Sequence, residues 1–265
     1  MTALADGKLI AEKDGAIGWI TFNNPAKHNA VSLEMWEGVE ASLADFLADD
    51  TIRVIVMKGA GEKAFVAGAD ISKFENERSS EATVARYSQA VERAYDAIHQ
   101  CPKPTIAMIR GYCIGGGLGI ALCCDLRIAA ENAIFGIPAA KLGLGYGYSN
   151  LRKLVDVVGP ATAKEIFYTA RRFNAEEALG MRLVNRTVPD SELEDFVRGY
   201  ADRIAENAPL TVQSVNLIVN EIVKDPTERD MGKCDRLTAD CFASEDYVEG
   251  RRAFMEKRKP EFIGR

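Results

Sequence analysis

A chain of 265 residues amounts to about 1.8 domains at roughly 150 residues each, enough to bury a core without disulfide or metal staples. Its 47% apolar and 27% charged residues match ordinary globular proteins and exclude disorder, collagen and repeat arrays. The formal charge of −6 argues against a duplex nucleic-acid binder, and two histidines, His28 and His99, exclude a histidine-rich metal site.

In chain order, the opening MTALADGKLIAEK lacks a basic-then-apolar signal segment. AIGWITF (16–22) reads as a strand stopped by the Asn23-Asn24-Pro25 turn signal. Ser32 is placed to cap an amphipathic helix whose Trp36, Val39, Leu43, Phe46 and Leu47 share a face. RVIVMK (53–58) is a buried strand. A second helix passes through Val84, Tyr87, Val91, Tyr95 and Ile98 to a stop at Cys101-Pro102, and the strand 105–109 follows. Strand, loop and helix thus alternate over about the first half of the chain, which predicts an α/β core with largely parallel strands. Beyond Pro160 the pattern turns helical, with helices expected over 210–223 and 241–259. The expected division is a core of residues 1–200 that carries the site and a helical region of residues 201–265.

The six cysteines form no CxxC pair, as in a reducing compartment. The uncharged run 111–124 is too short and glycine-rich to cross a bilayer, so a cytoplasmic protein with no membrane partner is expected. Residues 249–265 carry six basic and three acidic groups. This +3 tail is either a solvated helix face or a landing site for a phosphorylated ligand or an acidic subunit.

Two glycine-bearing segments stand apart: KAFVAGAD (63–70), and GYCIGGGLG (111–119) running into an apolar helix. Consecutive glycines let backbone approach a ligand, and a helix start adds free N–H groups with partial positive charge. The dinucleotide spacing GxGxxG fails because Ile120 stands where a third glycine belongs, and no GK(S/T), GxSxG or HExxH occurs. Two readings remain: an oxyanion hole of two backbone N–H groups, or glycines that only permit tight helix–strand packing.

The chain resembles the crotonase superfamily, the enoyl-CoA hydratase/isomerase family. The resemblance rests on NNPAKHNAVS (23–32), KAFVAGADI (63–71), KPTIAMIRGYCIGGGLGIALCCDLRIA (103–129), AEEALGMRLVNRTVP (175–189) and SEDYVEGRRAFMEKRKPEF (244–262). It implies an α/β spiral of ββα turns with a C-terminal helical trimerisation region, assembled as a homotrimer or homohexamer. It implies acyl-CoA thioester substrates, with coenzyme A as part of the substrate and no further cofactor or metal. The oxyanion donors would be the N–H groups of Ala67 and Gly116. Coenzyme A would follow Ala67, Gly68, Ala69, Asp70 and Ile71, with Lys27 near its phosphates and Phe254 and Lys257 covering it.

Hydratases of that family carry two glutamates, at positions that are Gly119 and Ala139 here. A general acid or base is worth about 10²–10⁴ in rate, so the chain is expected to run enolate chemistry other than ordinary hydration. One alternative is a decarboxylase similar to the methylmalonyl-CoA branch, with Tyr146 in LGLGY binding the substrate carboxylate; that branch has a histidine where Ala69 stands. Another is an acyl-CoA-binding protein without catalysis. Glu62, Glu75, Glu77, Tyr112, Tyr148 and Ser149 lie on or near pocket loops without a distinguishing spacing, His28 is expected to pack or be solvated, and His99 to cap or be exposed.

Overall fold

The computed structural model describes residues 1–70 and 80–265. Strands β1 (Thr2–Leu4), β2 (Leu9–Asp14) and β3 (Ile17–Phe22) form an antiparallel meander. Helix α1 (Leu33–Leu47) then crosses to β4 (Val54–Gly59), which pairs parallel with β3. Trp36, Val39, Leu43 and Phe46 are buried as the 3.6-residue period requires, whereas Ser32 donates to Glu34 instead of capping. After β5 (Ala64–Val66) come α2 (Glu81–His99), β6 (Thr105–Ile109), β7 (Tyr112–Ile114) and α3 (Gly116–Cys123). Next are β8 (Leu126–Ala130), β9 (Ile134–Gly136), α4 (Tyr148–Thr169), β10 (Phe173–Asn174), α5 (Ala175–Gly180) and β11 (Arg186–Val188). Four helices close the chain: α6 (Leu193–Ala205), α7 (Pro209–Ile222), α8 (Met231–Ala243) and α9 (Glu245–Glu256).

The strands sort into two sheets, one of order β1-β2-β3-β4-β6-β8-β11 and one of order β10-β9-β7-β5. Successive strands drop from the first sheet into the second, β4 to β5, β6 to β7 and β8 to β9, before a helix returns the chain. This is an α/β spiral of ββα turns, as expected. Both faces of the large sheet are buried. Ile17, Trp19, Val54, Val56, Ile106, Met108, Ile128 and Ala130 face α6, while Ile20, Phe22, Ile55, Met57, Ala107, Ile109 and Ala129 face the main core. That two-residue alternation with apolar groups on both sides explains why the parallel strands read as continuous hydrophobic runs.

Helix α6 lies on the sheet through Val197, Ala201 and Ala205, so it spans the division expected at residue 200. Helices α7, α8 and α9 bury few side chains, among them Ser214, Glu221, Cys234, Asp246 and Ala253. The single helix expected over 241–259 is two: Ser244 breaks the run and caps α9 by accepting from Tyr247 N–H. Among the described residues no helix is long and apolar enough to cross a membrane.

Candidate active site

Strands β5 and β7 are parallel neighbours, and each releases a glycine-bearing segment at the same end: residues 67–70 after β5 and the start of α3 after β7. The first segment is held by the turn that precedes α1. Asn29, buried and left-handed (φ 58°), donates from Nδ2 to Ala60 O (2.9 Å) and Ala64 O (2.7 Å) and accepts from Asn24 N–H. Gly59 makes this approach possible, because a Cβ there would lie 2.7 Å from Asn29 Nδ2 and closer still to two carbonyl oxygens.

The bond pattern of residues 67–70 decides which N–H groups are available. Ala67 N–H donates to His28 O over 3.0 Å. Val31 N–H donates to Gly68 O (2.9 Å), and Asp70 N–H to Val31 O (3.0 Å). This is a parallel bridge centred on Ala69, so the N–H of Ala69 itself points away from Val31. It makes no hydrogen bond among the described residues. The expectation that Ala67 supplies a free donor therefore fails, since its hydrogen is committed to the turn, whereas the N–H groups of Gly68 and Ala69 have no partner among the described residues.

The start of α3 presents the second set. Gly115 adopts φ 55° and ψ −114°, a conformation open to glycine, and its N–H donates to Gly136 O (2.9 Å). Gly116 is the first helical residue, where N–H groups have no intrahelical acceptor. Gly117 is packed against β5: a Cβ there would sit 2.8 Å from the Val66 carbonyl carbon. Gly68 likewise lies beside β7, its Cβ position 3.6 Å from Ile114 O. The two segments are in contact, with backbone N–H groups at the edge of each.

Positions 119 and 139, where the resemblance leads one to expect glutamates in a hydratase, are both surrounded by protein atoms. Behind Gly119 stands Tyr95 of α2, and a Cβ at 119 would lie 2.6 Å from its Cζ. Ala139 opens the short 3-10 turn Ala139–Leu142 and is 3% exposed within the main core. Tyr95 donates to Gly116 O (3.1 Å) and packs edge-on against Trp36 at 5.5 Å. Burial holds its phenol well above the ordinary range, so it stays protonated. Tyr146 is half-buried, packs edge-on against Phe167 (4.8 Å), and has its phenol pKa raised by burial. Its hydroxyl forms no hydrogen bond among the described residues.

The other expected residues scatter. Lys27 pairs with the buried carboxylate of Asp70 at 3.0 and 3.2 Å, so Asp70 joins the turn to the loop. Ile71, Glu75 and Glu77 lie outside the described residues. Glu62, with Pro25, His28, Gly61 and Lys63, lines a cavity of about 290 Å³ beside the turn. The His28 ring is edge-on to Tyr112 at 6.0 Å, and the Arg172 guanidinium covers Tyr112 at 5.3 Å. Tyr148 is exposed, and Ser149 accepts from Lys153. His99 is half-buried, and the last carbonyl of α2, its own, accepts from Asn220 of α7.

Phe254 is 83% exposed and Lys257 ends α9 in a left-handed conformation; no hydrogen bond or ring contact joins either to residues 67–70. The positive tail is largely satisfied within the chain. Arg258 pairs with Glu249 and Glu256, Arg252 with Glu249, and Lys259 with Glu206. Of the two readings of the tail, the solvated, self-paired face fits these contacts.

Tyr95 and Asn29 were not singled out by sequence reasoning. Tyr95 appeared only as one apolar position of a helix stripe, although a buried tyrosine needs a partner for its hydroxyl.

The chain is similar to known proteins over nearly its whole length. The family profile described as "Enoyl-CoA hydratase/isomerase" matches residues 12–265. A crotonyl-CoA hydratase of Syntrophomonas wolfei is 34% identical over 262 residues, covering 99% of this chain and all of that one. An (E)-benzylidenesuccinyl-CoA hydratase of Thauera aromatica is 36% identical, covering 96% of this chain and 98% of its own. A crystal structure of an enoyl-CoA hydratase/carnithine racemase from Magnetospirillum magneticum superposes with a TM-score of 0.93 at 37% identity, over 99% of this chain and 97% of that one. With its ββα spiral, paired glycine segments and near-complete profile match, the chain belongs to the enoyl-CoA hydratase/isomerase family, the crotonase superfamily.

Proposed function

We propose that this protein is an acyl-CoA enzyme that stabilises a thioester enolate with two backbone N–H groups and runs a reaction that needs no carboxylate pair. The donors are Gly116 at the start of α3 and Ala69, which replaces the Ala67 of the initial expectation because Ala67 N–H is already bonded. Gly68, Ala69 and Asp70 would follow the thioester and its pantetheine arm, with Lys27 holding Asp70 in place. Phe254 and Lys257 would cover the ligand of another subunit in a homotrimer or homohexamer, consistent with their exposure.

The observation that carries the reading is the occupancy of position 119. The Tyr95 hydroxyl fills the space a glutamate there would need, and Ala139 is sealed in the core. Two preorganised N–H groups are each worth roughly 10²–10³ for a developing oxyanion. Loss of CO₂ from a malonyl-type thioester generates the enolate without a base, so decarboxylation uses what the site retains. Tyr146 favours that second reading: its half-buried hydroxyl has no protein partner among the described residues and is available to a substrate carboxylate.

A panel of CoA thioesters tests the proposal. Crotonyl-CoA hydration is expected well below about 10⁴ M⁻¹s⁻¹ in kcat/KM, the lower range of ordinary enzymes. Methylmalonyl-CoA is expected to decarboxylate, with a tenfold or larger loss on the order of one charged hydrogen bond in Tyr146→Phe. Efficient crotonyl-CoA hydration would sink the claim about positions 119 and 139. Tight binding of every thioester with turnover of none would instead identify a binding protein.

A further inference from the structure

Tyr95 does more than exclude a side chain from position 119. Its hydroxyl donates to Gly116 O over 3.1 Å, and Gly116 opens α3, where its own N–H has no intrahelical acceptor. The ring is held firmly. It is 6% exposed and stands at 86° to Trp36, whose Nε1 donates to the Tyr87 hydroxyl at 3.0 Å. Gly115, Gly116 and Gly117 have no side chains to fix their peptide planes, and glycine is the residue with the most backbone freedom to lose. Outside restraints must therefore aim the N–H groups. Among the described residues these include Gly115 N–H bonded to Gly136 O, Gly119 N–H bonded to Gly115 O, Gly117 wedged on Val66, and the Tyr95 hydroxyl on Gly116 O.

We infer that Tyr95 is a positioning residue: its hydroxyl occupies the space of a residue-119 side chain and fixes Gly116 so that the oxyanion donors are preorganised. The inference rests on Gly116 being such a donor. The Gly116 N–H shares its peptide with the Gly115 carbonyl, which accepts from Gly119 N–H (3.0 Å), and the Tyr95 bond fixes the peptide that follows, so Gly116 is restrained on both sides. A hydrogen bond to the Gly116 carbonyl also polarises the N–H of the same peptide, which belongs to Gly117. The neutral phenol does this without introducing charge beside a developing oxyanion. Any side chain at 119 would force the Tyr95 ring to shift, so glycine at 119 lets Tyr95 keep its place.

The test uses acetoacetyl-CoA, a 1,3-dicarbonyl thioester whose enolate has its own near-ultraviolet band, with butyryl-CoA as a thioester that forms no stabilised enolate. The wild-type protein is expected to raise the bound enolate fraction. Tyr95→Phe is expected to lower it by about three- to tenfold while leaving butyryl-CoA affinity unchanged. No enolate band with the wild type would overturn the oxyanion reading itself. Equal bands in wild type and Tyr95→Phe would overturn only the role of Tyr95, as would equal losses for both thioesters, which mark a purely structural side chain. Gly119→Ala is the second variant and covers a Tyr95→Phe that does not fold. It should displace the tyrosine, cause the same selective loss of enolate, and destabilise the wild type more than a Tyr95→Ala background. A Gly119→Ala protein unchanged in both melting temperature and enolate band would overturn the inference.

Discussion

Asn29 and Gly117 fix the two site segments by opposite means, one through a side chain and the other through the lack of one. The Asn29 amide bonds both sides of the loop between β4 and β5, and its oxygen accepts from Asn24 N–H. Asn29→Ala leaves two carbonyls and an N–H without that partner in a buried place. It is expected to cost about 3 kcal/mol, read as a shift in urea midpoint at constant slope. Gly117 tolerates no Cβ because Val66 backbone lies against it, and backbone cannot rotate away as a side chain can. Gly117→Ala is expected to destabilise by about 1–3 kcal/mol and to displace the 67–70 segment. A variant of unchanged stability and unchanged thioester affinity would refute the packing account. The triple glycine was visible in the sequence, but its two readings are not exclusive: Gly117 answers to packing, and Gly116 is the donor in the proposed function. Sequence inspection placed the other donor at Ala67, because nothing local reveals that His28 O, far away in the chain, has taken that hydrogen.

At the level of elements, titratable groups at the joints of the helical region contribute to acid sensitivity. Glu221 near the end of α7 accepts from Lys224 (2.8 Å), Asp230 N–H (3.1 Å) and Lys233 (3.2 Å), and these contacts hold its carboxyl at about 2. A depressed carboxylate pKa contributes stability above the unfolded value near 4.5 and loses it as pH falls toward about 2. His99 at the end of α2 is shifted down from 6.5, first by burial and then by Lys153. The folded state resists its protonation, so stability declines as pH falls below about 6.5 and levels off under the folded pKa. Denaturant midpoints across pH should show both windows. His99→Gln should shrink the upper one and Glu221→Gln should reduce the lower one, to which Asp49 and Glu249 also contribute; an unaltered profile in either variant would refute its assignment. The long elements were legible because burial imposes a period: β6 falls on the expected residues, and β3, β4 and α7 within one residue of theirs. The second sheet was not, since strands of two or three residues carry no period to read.

Across the whole molecule, apolar side chains remain exposed on the helical region, including Val215, Val219 and Ile222 of α7 and Phe242 and Val248 beyond it. A face of this kind favours association. Sedimentation is expected to give three or six times 29.0 kDa, with Val215→Asp combined with Val219→Asp moving the mass toward one chain. A wild-type monomer would refute the proposed assembly. The sequence by itself determined the family and the α/β spiral, because long apolar runs and five ordered blocks are local patterns that survive without coordinates. It also marked positions 119 and 139 as lacking carboxylates. Only the tertiary structure decided what stands there instead, and which backbone hydrogens are already bonded within the chain. Those outcomes depend on partners distant in the chain: Tyr95 against Gly119, Asn29 across the β4–β5 loop, His28 O on Ala67. A hydrogen bond consumes a donor wherever its acceptor comes from, and no local pattern records that contact.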